Sequence, residues 1–231
     1  MREIVLDTET TGLDPTSGHR VVEVGCIELL NHMPTGREFH FYVNPERDMP
    51  AEAEAVHGLS SAFLSDKPLF SSLADELLGF IGDSPIIAHN AGFDMGFINA
   101  ELKRVGKAPL GSDRTIDTVM LARRKFPGAQ ASLDALCRRF SIDLSGRGKH
   151  GALLDAKLLA KVYLELVGGR EPGLLLATAT EVATTGPVEV VTRTARPPRP
   201  HEASAEELAA HAAFVATLKN PIWLKDQPDP A

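Results

Sequence analysis

Apolar positions come in short strand-like runs at the start of the chain and in helical spacings further on. Ile4-Val5-Leu6 is a brief apolar run closed by polar residues and predicts a first strand. Arg20 to Leu30, rich in valine and isoleucine, predicts a second, and the alternation of Phe39, Phe41 and Val43 along Arg37 to Val43 predicts a third. The intervening Asn31-His32-Met33-Pro34-Thr35-Gly36 reads as a turn. Helical spacing then covers 51–65 in pieces, 70–81, and Phe93 to Arg104, where Phe93, Phe97, Ile98 and Leu102 share one side. Pro85 to Ala88 reads as a buried strand and Thr115-Ile116 as a last short one. Helical stretches at 118–125, 132–140 and about 151–167 close the region. Three antiparallel strands followed by alternating strands and helices predict an α/β fold, a mixed five-stranded sheet flanked by helices.

The pattern changes near Gly168-Gly169. Eight of the 16 prolines follow it, and Ala195-Arg196-Pro197-Pro198-Arg199-Pro200 suits neither a helix nor a central strand. Residues 168–203 are therefore expected to form a flexible linker. A short amphipathic helix is predicted from Ser204 to about Lys219, with Ser204 as N-cap and Glu206 and Glu207 in its first turn. Leu208, His211, Ala212, Val215 and Leu218 recur along it, and Trp223 follows in the tail to residue 231. No further core is available locally, so this segment is expected to bury its apolar side against a partner, with folding back on the main region as the alternative.

Composition narrows the choice. The 231 residues are 43% hydrophobic and 24% charged, ordinary for a soluble globular chain. No apolar run reaches the roughly 18 residues of a membrane helix, and the N-terminus meets Asp7 too early for a signal peptide, so a cytoplasmic protein without a membrane partner is expected. Cys26 and Cys137 lack metal-ligand spacing and read as buried thiols. The net charge of −7 disfavours a stand-alone duplex binder. It leaves room for a nucleic-acid enzyme whose grip on DNA comes from a partner.

Three acidic motifs carry the candidate chemistry. Asp7-Thr8-Glu9 closes the first strand, and side-chain alternation puts Asp7 and Glu9 on the same face. Paired carboxylates repel unless a cation lies between them, and such oxygen ligands suit Mg²⁺ or Mn²⁺. In Ala88-His89-Asn90-Ala91-Gly92-Phe93-Asp94, a buried strand runs out and Asp94 enters the first helical turn. In His150-Gly151-Ala152-Leu153-Leu154-Asp155, a spacing of five sets the two side chains about 140° apart in a regular helix. They converge only if His150 lies just before it. Asp117 and Asp134 read as helix caps and are not assigned to metal.

In this order and context the motifs resemble the DEDDh family of 3′–5′ exonucleases. The strings Val5-Leu6-Asp7-Thr8-Glu9-Thr10-Thr11-Gly12-Leu13, Val56-His57-Gly58-Leu59, His89 to Asp94, Ser132 to Cys137 and His150 to Ala156 resemble the epsilon-type proofreading subunits of bacterial DNA polymerase III. The likeness covers about residues 2–167, and implies an exonuclease domain over 1–167 with a ribonuclease-H-like fold. It further implies that Asp7, Glu9 and Asp155 hold one divalent ion, that Asp7 bridges to a second, and that Asp94 holds its ion largely through water. By the same resemblance His150 is the general base, and Thr8, Glu9, Thr10, Leu13 and His57 seat the terminal nucleotide. Phe93 would stack on a base or belong to the core, and Asn90 would contact the strand or fix the turn.

The implied substrate is a single-stranded 3′ DNA end. The implied partner is the polymerase III alpha subunit, bound through the polymerase-binding helix and tail at 204–231. Glu171-Pro172-Gly173-Leu174-Leu175-Leu176 loosely resembles a sliding-clamp peptide, with Glu171 in place of the usual glutamine; a plain apolar patch is the alternative. Two competing readings are a free-standing exonuclease acting on RNA or in repair, and a catalytically silent polymerase-assembly subunit.

Overall fold

The computed structural model describes residues 1–145, 150–168 and 202–219. The chain divides into two compact units, Met1–Leu176 and Ala177–Ala231. The first holds a five-stranded mixed sheet of order β3-β2-β1-β4-β5. Its strands are β1 (Arg2–Thr10), β2 (Val21–Leu30), β3 (Met33–Tyr42), β4 (Ile86–Ala88) and β5 (Thr115–Asp117). The helices of this unit are α1 (Ala51–His57), α2 (Ser61–Leu64), α3 (Phe70–Ile81), α4 (Ala91–Arg104), α5 (Thr118–Lys125), α6 (Leu133–Arg139) and α7 (Ala152–Val167). β1 to β3 form an antiparallel meander, and β4 and β5 add in parallel on the other side of β1. The expected mixed sheet and ribonuclease-H-like layering are present.

The turn expected over Asn31–Gly36 is shorter than the polar residues suggest. Asn31 and His32 both adopt positive φ, 51° and 66°. That geometry closes a two-residue hairpin whose twist matches the strands. Met33 to Gly36 then belong to β3, where Pro34 is tolerated because the strand lies at the sheet edge. β1 likewise extends past its apolar centre, since its polar residues continue to pair with β2 as far as Thr10↔Val21.

Alternation along the central strands feeds two cores. Ile4, Leu6 and Ile86 pack with Leu77, Phe97 and Ile98 on one face, while Val5 and Ile87 pack with Leu136, Leu159 and Val162 on the other. Burial on both faces is why these strands read as short continuous apolar runs. α7 crosses the second face, and Gly25 on β2 permits the approach. A Cβ at Gly25 would lie 2.4 Å from the backbone carbon of Ala152 and from the nitrogen of Leu153. At the far end of α7, the Tyr163 hydroxyl donates to Glu3 Oε1 (2.8 Å), and Glu3 Oε2 accepts from the His32 backbone N–H (3.2 Å).

Cys26 and Cys137 are buried. In the second unit, α8 (Ala205–Ala216) opens with a capping box between Ser204 and Glu207. Leu208 and Phe214 on it are exposed and Val215 is buried. Residues 169–201 of the expected 168–203 linker, the clamp-like segment 171–176 within it, and Trp223 with the tail from 220 lie outside the described residues. Among the described residues no helix is long and apolar enough to cross a membrane.

Candidate active site

The acidic motifs meet at the C-terminal end of β1. Asp7 and Glu9 project to the face that α7 covers, while Thr8 and Thr10 project to the other. Asp155 sits in the first turn of α7 and is buried. His150 lies just outside the helix, before its N-cap Gly151, and this placement lets it meet Asp155 despite the spacing of five. Its Nδ1 is 3.1 Å from Asp155 Oδ2. Ligand atoms of Glu9, His150 and Asp155 all lie within 4.8 Å of one another. The His150 backbone N–H donates to the Val56 carbonyl at 3.3 Å, joining this segment to α1.

Asp94 reaches the same strand end from the first turn of α4 and is only 3% exposed. It accepts a 2.7 Å hydrogen bond from Thr8 Oγ1. The chain enters α4 through Asn90, which takes a left-handed conformation at φ 67°. Asn90 is exposed, and its backbone N–H donates to Asp117 Oδ1 at 3.2 Å. It lies in the β4–α4 turn and is not among the residues lining the cleft below. Asp117 caps α5 through the Val119 N–H (2.8 Å), as expected of it.

Crowded carboxylates perturb one another. Burial, followed by the charges of Asp94, Glu9, Asp155 and Glu23, holds the Asp7 carboxyl well above the usual carboxylate range. Burial, with a smaller contribution from the charge of Asp117, pushes Asp94 up to about 7 against the opposing hydrogen bonds from Thr8. Such a set is stabilised by protons or by cations. Carboxylate oxygens from three separate elements, with one imidazole at the edge, suit a hard divalent ion such as Mg²⁺ or Mn²⁺. The residues present thus fit the expected metal centre.

A cleft of about 530 Å³ opens beside Glu9, within the size range of small-ligand sites. Thr8, Glu9, Thr10, Leu13, His57 and Phe93 all line it. Leu13 stands at the rim, 86% exposed. The Phe93 ring is half-buried and lies 4.9 Å from Phe97, so it borders both cleft and core. His57 is buried rather than on the surface, and its Nδ1 accepts from the Leu59 N–H at 3.0 Å. The neutral ring therefore carries its proton on Nε2.

Asp134 differs from its expected capping role. Ser132 caps α6 by accepting from the Ala135 N–H at 3.3 Å. Asp134, two residues on, lines a second recess of about 290 Å³ with Asp7, His89, His150 and Asp155. Two histidines of the region went unassigned in the sequence. His19 lines the larger cleft, its Nδ1 3.2 Å from Thr11 Oγ1. His89 lies in the smaller recess with Nδ1 2.9 Å from Thr118 Oγ1. Thr118 donates to the Ala88 carbonyl, so His89 Nδ1 is the donor to Thr118. Position next to a motif was the available signal for His89. For His19, brought in by a loop, there was none.

Comparisons with known proteins bear on the family and the fold. The family model described as Exonuclease matches residues 4–163. The DNA polymerase III subunit epsilon of Rickettsia conorii is 51% identical over 225 residues, covering 94% of this chain and 96% of the relative. The subunit of the same name from Escherichia coli K12 is 42% identical over 224 residues, covering 92% and 91%. Among solved structures, exonuclease X in complex with 5′ overhanging duplex DNA aligns with TM-score 0.56 and 25% identity, over 71% of this chain and 90% of that one. The nuclease domain of 3′hExo, a DEDDh family member bound to rAMP, shares the fold with TM-score 0.63 at 17% identity, over 72% of this chain and 91% of that one.

Proposed function

The chain belongs to the exonuclease family that includes the DNA polymerase III epsilon subunits, and from that premise we propose that it is a cytoplasmic 3′–5′ exodeoxyribonuclease that proofreads for a replicative DNA polymerase. One observation carries the reading. Asp7, Glu9, Asp94, His150 and Asp155, spread over 149 positions of sequence, converge at one strand end beside a nucleotide-sized cleft.

Asp7, Glu9, Asp94 and Asp155 would hold two divalent ions, Mg²⁺ or Mn²⁺. Such ions, when bound, neutralise the charge that develops on the attacking and leaving oxygens of a phosphodiester. His150 is the general base. Its Nδ1 faces Asp155, so that nitrogen carries the proton and Nε2 takes the proton of the attacking water. Thr10, Leu13 and His57 seat the terminal nucleotide, the backbone of Thr8 to Thr10 meets its sugar or phosphate, and Phe93 borders its base. The product is a deoxynucleoside 5′-monophosphate.

Selection of mispaired ends follows from energetics rather than base recognition. Stacking contributes on average about 1.4 kcal/mol per step. A mispaired 3′ end has lost part of that, frays more often and enters the cleft more often. The net charge of −7 accords with affinity for DNA being supplied by the polymerase. We assign that attachment to the alpha subunit, through α8 and the residues to 231, with 168–203 as the tether. Segment 171–176 is a candidate clamp contact that Glu171 weakens.

The test is digestion of 3′-labelled DNA with paired and mispaired ends, with an RNA strand alongside and Asp7→Ala as control. Metal-dependent release of 5′-mononucleotides, faster from the mispair and lost in the control, is expected. Preference for RNA would reassign the substrate, and inactivity of a folded chain in complex with its polymerase would leave a structural subunit.

A further inference from the structure

Two rungs of the sheet lie beneath the start of α7. In one, Asp7 faces Gly25 and Gly25 faces His40; in the next, Glu9 faces Glu23 and Glu23 faces Tyr42. Residues of one rung point to the same face. Asp7, Glu9, Glu23 and His40 therefore share the surface that α7 covers. Gly25 is the notch that admits the first turn of the helix.

Glu23 is buried beside that notch, at 3% exposure. His40 Nε2 lies 2.7 Å from Glu23 Oε1, and the His40 ring meets Tyr42 edge-on at 4.9 Å. The other oxygen, Oε2, is turned toward Gly151, 4.0 Å from the place a Cβ there would occupy. Gly151 is the N-cap of α7, has no side chain to cap the helix, and connects His150 to it. An open helix start carries partial positive charge from its unpaired N–H groups, which a nearby carboxylate stabilises. A carboxylate whose rotamer is fixed by a second hydrogen bond orients its neighbours more sharply than one left to move.

We propose that Glu23, fixed by His40, is a positioning residue of this site: it holds the Gly151 junction over the sheet so that His150 and Asp155 arrive together at Asp7 and Glu9. Neither the acidic motifs nor the cleft includes it. The inference rests on the nuclease reading for the reaction it serves, but not for the geometry it controls.

The experiment uses the full chain carrying Glu23→Gln or His40→Gln, with folding verified by circular dichroism and thermal melting. Mn²⁺ binding is read by electron paramagnetic resonance of the free ion, and kcat and KM are measured on a single-stranded oligonucleotide. Both variants are expected to weaken Mn²⁺ binding and lower kcat by roughly ten- to hundredfold with KM unchanged. The His40 variant separates positioning from charge. Were Glu23 acting through its charge alone, removing the imidazole would leave Mn²⁺ binding unchanged or tighter. That result overturns the proposal, as does a folded Glu23→Gln variant with unaltered Mn²⁺ binding and kcat. If Glu23→Gln does not fold, His40→Gln, on the outer strand, decides alone. A wild-type chain that digests no DNA even in complex with its polymerase would sink the nuclease reading, while the Mn²⁺ comparison would still judge the positioning role.

Discussion

β1 and α7 run past each other as two rails with an acid of β1 at either end. At one end Glu3, 1% exposed, receives the Tyr163 hydroxyl and the His32 backbone N–H, with the His32 ring Nδ1 at 2.8 Å. At the other end Asp7 faces Asp94, Glu9, Asp155 and Glu23. Tyr163 and Asp155 are eight residues apart on α7, about two turns, their directions differing by roughly 80°, and both side chains reach acids of β1. Glu3 and Asp155 are both buried and Asp7 is partly exposed; the strand and the helix are shared, and the partners differ. Burial of a carboxylate therefore does not by itself locate function. Like charges gathered at one strand end, each raising the carboxyl of Asp7, do.

The contrast can be broken by substitution. Asp7→Asn should produce the largest effect, lowering kcat by about 10³-fold or more, because several kcal/mol of charge stabilisation go with it. The same variant should melt at a higher temperature than wild type in EDTA, since it removes a charge repelled by its acidic neighbours; a lower melting temperature would contradict the picture. Gly25→Ala should act next. Its Cβ would meet the α7 backbone, so a loss of about 1–3 kcal/mol is expected in denaturant titrations, together with a fall in kcat as His150 and Asp155 shift.

Tyr163→Phe should do the opposite of Asp7→Asn. Losing a hydrogen bond to a buried carboxylate costs about 1.5–3 kcal/mol. At about 2–4 °C per kcal/mol for a domain of this size, the melting temperature should fall by several degrees with kcat intact. A Tyr163→Phe chain that melts normally but has lost kcat would erase the distinction between the two ends.

The smallest effect is a pH dependence of the metal-free chain. Asp7 and Asp94 have folded-state values above their unfolded ones, Asp94 at about 7. The native state then binds more protons than the unfolded state between about pH 4 and 7. Stability from these groups is fully present below that window and lost as pH rises through it. Melting in EDTA should accordingly be lower at pH 8 than at pH 5, and Mn²⁺ should narrow the difference.

Much of this was legible in the sequence because it rests on local rules. Strand alternation put Asp7 and Glu9 on one face, and the angular mismatch between His150 and Asp155 required a histidine outside the helix, where it is found. Ser132 and Asp134 mark the limit. Either can cap a helix, and only the packed helix determines that Ser132 does so while Asp134 borders the acids. Pro34 and Gly36 read as turn residues because no local rule reveals that their strand lies at an edge. The Glu23–His40 contact and the approach of His19 to the cleft depend on register and loop path, which composition does not encode.

The position of α7 also bears on the order of events during synthesis. The strand that carries Asp7 and Glu9 emerges first, and Asp155 follows 148 residues later. At about 5–20 residues per second, the ribosome takes at least several seconds to supply that carboxylate. Until α7 docks over Gly25, the nascent chain holds an incomplete set of acids. The cluster of acids is thus completed only when α7 is made and docked.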